Sequence, residues 1–133
     1  MGLDHFAIPV PAPKFEETIK FLTTSLAFSN FKEITRPIPT VVGLGETAPY
    51  IWLSAVEGDE AEFKNVMKGM HIAFNATNGE QVRQFHEAAL KAGGTCNGKP
   101  GIRFYHEKYY AALQNGTIIH DLGLIPPTQI SPI

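Results

Sequence analysis

Three histidines stand in short apolar segments of similar make: His5 in LDHFAIPV (Leu3 to Val10), His71 in MHIAFNA (Met70 to Ala76) and His120 in TIIHDLG (Thr117 to Gly123). Imidazole is the commonest side-chain ligand of transition metals and the readiest proton shuttle near neutral pH. Three of them gathered in one place could hold a zinc, copper, nickel or iron ion, or exchange protons with a substrate directly. Amphipathic helical patterns follow the first two at similar distances. The chain therefore reads as two copies of one unit that converge on a shared imidazole cluster.

The elements that would have to position these rings follow from periodicity. After the first strand, Pro11 and Pro13 stop pairing, and Phe15, Ile19, Leu22 and Leu26 recur at helical spacing, which predicts a helix from about Lys14 to Leu26. Extended segments Phe31 to Arg36, Thr40 to Leu44 and Pro49 to Val56 come next, divided by prolines and glycines. An acidic connector, about 57–68, carries Glu57, Asp59, Glu60 and Glu62 and has room for a helical turn. The second half repeats the order. Its strand bears His71, and GEQVRQFHEAALKAGG follows with Val82, Phe85 and Ala89 as the buried stripe and Gly93-Gly94 as the stop. Beyond it come a Gly/Pro-rich loop from Thr95 to Gly101, the segment Ile102 to His106, a hairpin, and an irregular tail over 126–133.

Alternation puts His5, Ala7 and Pro9 on one face of the first strand and Phe6, Ile8 and Val10 on the other. In the second unit His71, Ala73 and Asn75 stand opposite Met70, Ile72 and Phe74. Both histidines thus share a face with small residues, which leaves room for a cavity. Asn115-Gly116 predicts a two-residue type I′ turn, pairing Ala111 with His120 and Tyr109 with Leu122. That register places His120 and Tyr109 on the inward face and Asp121 on the opposite one. Tyr109 could bind a substrate oxygen or pass a proton, its plainer role being an interfacial aromatic. Trp52 could stack on a flat ligand or serve the core. Arg103 could orient a carboxylate or stay solvated, and His86 and His106 read as surface residues.

Composition narrows the classes. The 133 residues, 44% hydrophobic and 18% charged, suit one globular domain with a sizeable core. Eleven basic against thirteen acidic residues give a formal charge of -2 without the basic stripe that nucleic acid requires. The apolar runs are strand-sized, and MGLDHF lacks the marks of a secretory leader, so the expectation is a soluble, cytoplasmic protein with no membrane partner. Cys96, the single cysteine, rules out an internal disulfide and reads as a loop residue, not a nucleophile.

With the repeat, the strand histidines and the closing NGTIIHDL in place, the chain resembles the vicinal oxygen chelate superfamily, the glyoxalase, bleomycin-resistance and dioxygenase group. LDHFAIPV and HIAFNATNGEQVRQFHEAALKAGG carry the likeness, which covers nearly the whole chain. It implies an α+β fold of two βαβββ modules, about 1–57 and about 69–125, forming a curved mixed-sheet cup, and a homodimer. It also implies a divalent metal held by His5, His71 and a last-strand position where relatives carry glutamate and this chain carries His120. Loss of that carboxylate favours isomerase, lyase or cyclase chemistry on a carbonyl or enol over dioxygenation, with no organic cofactor. The rival readings are a bleomycin-resistance-type protein that sequesters an aromatic or drug-like molecule, and a structural relic with its histidines satisfied internally.

Overall fold

The computed structural model describes residues 1–67, 70–102, 110–115 and 121–125. In chain order the elements are β1 (Phe6–Pro11), α1 (Phe15–Ser25), β2 (Lys32–Ile38), β3 (Val41–Gly45), β4 (Pro49–Val56), α2 (Glu60–Met67), β5 (His71–Asn75), α3 (Gly79–Lys91), β6 (Thr95–Ile102), β7 (Tyr110–Asn115) and β8 (Asp121–Ile125). They form two mixed sheets of four strands, ordered β1-β4-β3-β2 and β5-β8-β7-β6. In each, the opening strand runs parallel to the last and the remaining pairs are antiparallel. Each sheet with its helix is a βαβββ unit, so the expected α+β architecture is present twice.

The helices form where the apolar period demands. Phe15, Ile19 and Leu22 of α1, with Leu26 just beyond its end, are buried, as are Val82, Phe85 and Ala89 of α3. α3 opens on an Asn78 cap whose side chain accepts the Gln81 N–H at 3.0 Å, while the Gln81 side chain accepts the Thr77 N–H at 2.7 Å. α1 packs on the Ile8, Val10, Val42, Leu44, Ile51 and Leu53 side of the first sheet, and it also meets α3. One apolar cluster thus runs through both units, each fully buried Leu, Ile or Phe adding about 1.5–3 kcal/mol.

Several local expectations give way to tertiary context. Pro11 does not end the first strand, because it pairs with Val56, just as Pro9 pairs with Ser54. β1 lies at a sheet edge, where every second N–H would face outward, so prolines at alternate positions sacrifice no ladder bond. The Gly/Pro-rich stretch expected as a loop is strand β6, an edge strand whose register shifts between Cys96 and Gly98 and again between Gly98 and Gly101. Bulges absorb its glycines and Pro100. The connector contains a full eight-residue helix, with Asp59 accepting the Ala61 N–H at 3.0 Å and Lys64 pairing with Glu60 at 3.2 Å.

The largest departure concerns the last hairpin. Ala112 pairs with Leu124, Leu113 with Gly123 and Gln114 with Leu122, so the partner of Leu122 is not the expected one, while the expected Ala111–His120 pair lies outside the described residues. The frame of β8 differs from the two-residue-turn register by an odd number of residues. In a pleated strand that exchanges the faces.

Candidate functional site

β1 and β5 present their histidine faces in the same way. His5 immediately precedes β1 and His71 opens β5, and one offset carries HFAIPV onto HIAFNA. His5, Ala7 and Pro9 are exposed, as are His71, Ala73 and Asn75, while Ile8, Val10 and Ala76 are buried and Phe6, Ile72 and Phe74 partly so. The small-residue face expected beside each histidine is therefore the open face in both units. The His5 imidazole is 57% exposed and its Nδ1 meets the carboxylate of Asp4, which leaves Nε2 for a metal or a proton.

The hairpin register decides what stands beside His71. His71 pairs with Asp121, Ala73 with Gly123 and Asn75 with Ile125. Asp121, expected opposite the inward face, stands at the register position next to His71. His120, Tyr109, Arg103 and His106 lie outside the described residues. Among residues with described side chains, no three His, Cys, Asp or Glu groups gather closely enough to hold a metal ion.

Trp52 lies on the His5 side of the first sheet, in register with Ala7 and Gly43. Its indole crosses the bare backbone of Gly43, where a Cβ would come within 3.0 Å of Trp52 Cη2 and 2.7 Å of Pro49 Cβ. Gly43 is the reason the ring can lie there, a role that no local pattern announces. The half-buried indole lies over Gly43 and forms a flat platform on this face.

Two other candidates occupy plainer places. His86, on α3, is half-buried, and burial together with Lys99 holds its imidazolium below the ordinary value of 6.5. Cys96 is exposed and lies in β6, not in a loop. Sequence reasoning also passed over Tyr50 and Glu46. The Tyr50 hydroxyl donates to Glu46 Oε1 at 2.9 Å beside Phe31 and Phe74, and burial and the carboxylate push its pKa upward.

Comparison with solved structures places this arrangement. Over 95% of this chain and 98% of the other, a glyoxalase/bleomycin resistance protein/dioxygenase family enzyme from Burkholderia phytofirmans superposes with a TM-score of 0.69 at 18% identity. The chain has the vicinal oxygen chelate fold. A glyoxalase/bleomycin resistance protein from Albidiferax ferrireducens matches with a TM-score of 0.67 at 18% identity, over 91% of this chain and 96% of its own. A variant of the fosfomycin resistance protein FosX from Listeria monocytogenes, complexed with Mn(II) and 1S,2S-dihydroxypropylphosphonic acid, matches with a TM-score of 0.67 at 21% identity, over 93% of this chain and 88% of its own. No protein-family model and no curated protein matches the sequence. Among the described residues, no helix is long and apolar enough to cross a membrane.

Proposed function

We propose that this chain is a small-molecule enzyme whose site is built on the histidine faces of β1 and β5. The observation that carries this reading is the equivalence of His5 and His71, exposed on matching small-residue faces, with Asp121 in register beside His71. Two imidazoles and a carboxylate suit a divalent ion such as zinc, iron, nickel or copper, and the FosX relative in fold was solved with Mn(II). Bound there, the ion would polarise a carbonyl or enol oxygen of the substrate. His5 and His71 would hold it through their ring nitrogens, and the third donor would come from the start of β8. Of the two candidates there, Asp121 has the register and His120 the sequence likeness. Tyr109 and Arg103 would bind substrate oxygens. With His120 as third donor the reaction class is isomerase, lyase or cyclase, whereas Asp121 there would complete a two-histidine, one-carboxylate set that suits dioxygenation.

Metal analysis of protein purified without a histidine tag, followed by zinc and manganese titration of His71→Ala, tests the proposal. About one ion per site, lost in the variant, is expected. Absence of any tight divalent site at neutral pH would leave acid-base work by the histidines alone.

The Trp52 platform supports a second reading, capture of a flat aromatic molecule without turnover. Ligand binding that survives His71→Ala with no product formed by the parent protein would favour it. A homodimer fits either reading; β5 ends its sheet and could meet a second copy, whereas Pro9 and Pro11 blunt the edge of β1. Sedimentation of the intact chain gives the assembly directly.

A further inference from the structure

A cavity of about 320 Å³ lies where the first unit meets β5, and neither His5 nor His71 lines it. Asn75, on its wall, sits at the opposite end of β5 from His71, about 13 Å along the strand. Phe28, Tyr50 and Phe74 line the space together with Ser29, Glu46 and Asn75. Two of these rings are braced by a third: Phe31 packs edge-on to Tyr50 at 5.9 Å and to Phe74 at 6.0 Å.

The charge of the described lining is one-sided. Among the described residues Glu46 is the one charged side chain that lines the cavity, and no lysine or arginine there forms an ion pair with it. Its Oε1 is held by the Tyr50 hydroxyl at 2.9 Å, and the half-buried phenol resists ionisation, so it remains a donor that orients the carboxylate. The Ser29 hydroxyl already donates to the Leu26 carbonyl at 2.9 Å and offers only lone pairs to a guest. A carboxylate and acceptor oxygens repel anions. One carboxylate among hydrocarbon rings is also too few hard ligands for calcium or magnesium. A cation clad in carbon satisfies both features, because ring faces attract a desolvated ammonium and the carboxylate neutralises it. The volume lies at the small end of ligand sites and limits the guest to a compact molecule.

We propose that this cavity binds a small organic ammonium ion, its charge set against Glu46 and its carbon shell against Phe28, Tyr50 and Phe74. The test is a proton–nitrogen NMR titration of the full chain with tetramethylammonium chloride, using sodium chloride at equal ionic strength as the blank and neopentyl alcohol as the neutral isostere. Saturable shifts of the Ala73, Phe74 and Asn75 amides are expected with the cation and not with the isostere. Glu46→Gln keeps an acceptor for Tyr50 and removes the charge, and it should weaken binding at least about tenfold without changing the melting temperature. Shifts that fail to saturate, equal response to the alcohol, or undiminished binding by a folded Glu46→Gln would each overturn the proposal. The comparison of cation with isostere requires no variant.

Discussion

His71 and Asp121 are neighbours across the parallel ladder of β5 and β8, the first residue of one strand beside the first residue of the other. In a parallel pair, residues in register share a face, so a carboxylate-bearing position stands beside the second-unit histidine. Asp121→Asn and His71→Ala should each weaken zinc or manganese binding beyond the roughly 10–100-fold that follows loss of a supporting partner. His120→Ala should leave affinity nearly unchanged. Calorimetric titration of the three variants decides the assignment, and metal lost with His120 but kept without Asp121 would return the third position to the imidazole.

Gly43 makes room for Trp52. An alanine methyl would lie 2.7 Å from Pro49 Cβ, so the indole and proline must move apart. Gly43→Ala should cost about 1–3 kcal/mol in urea unfolding, the usual cost of overpacking. Because Trp52 is the single tryptophan, its emission reports the same displacement.

His86 links stability to pH. Burial, with Lys99 adding to it, holds its pKa below the ordinary 6.5, so the unfolded chain takes up the proton more readily than the folded one. The stability this neutral ring contributes is fully present above the unfolded value and is lost as pH falls through it toward the lower folded value. Calorimetry from about pH 7.5 to about pH 5 should show a shallower decline in Tm for His86→Gln than for the parent. Parallel curves would mean that the ring titrates normally.

Asn78 starts α3, the helix that carries Val82, Phe85 and Ala89 into the core. Asn78→Ala removes the acceptor for the Gln81 N–H and should cost about 1 kcal/mol in chemical denaturation. Asn78→Asp should retain most of that stability, since its carboxylate caps the same N–H near the positive end of the helix dipole.

Much of this protein is legible from neighbouring residues alone. The stripes Phe15, Ile19, Leu22 and Val82, Phe85, Ala89 announce α1 and α3, and alternation in HFAIPV and HIAFNA announces which face each histidine takes. Such patterns are local: helical period and strand pleat act over a few residues, so the buried side is written into the spacing. The repeat of units follows for the same reason.

Other features exist only once distant segments meet. Gly98 looks like a breaker until it pairs with Leu113 of β7, and Pro100 falls in the register shift between Gly98 and Gly101. Asn115-Gly116 favours a tight turn, yet the register of β8 follows its ladders with β5 and β7, which exchange the face of Asp121. The Glu46, Tyr50 and Phe74 cavity joins two units that no short pattern connects. Periodicity marks what a residue buries, whereas register and cavities depend on pairing and packing summed over the whole chain.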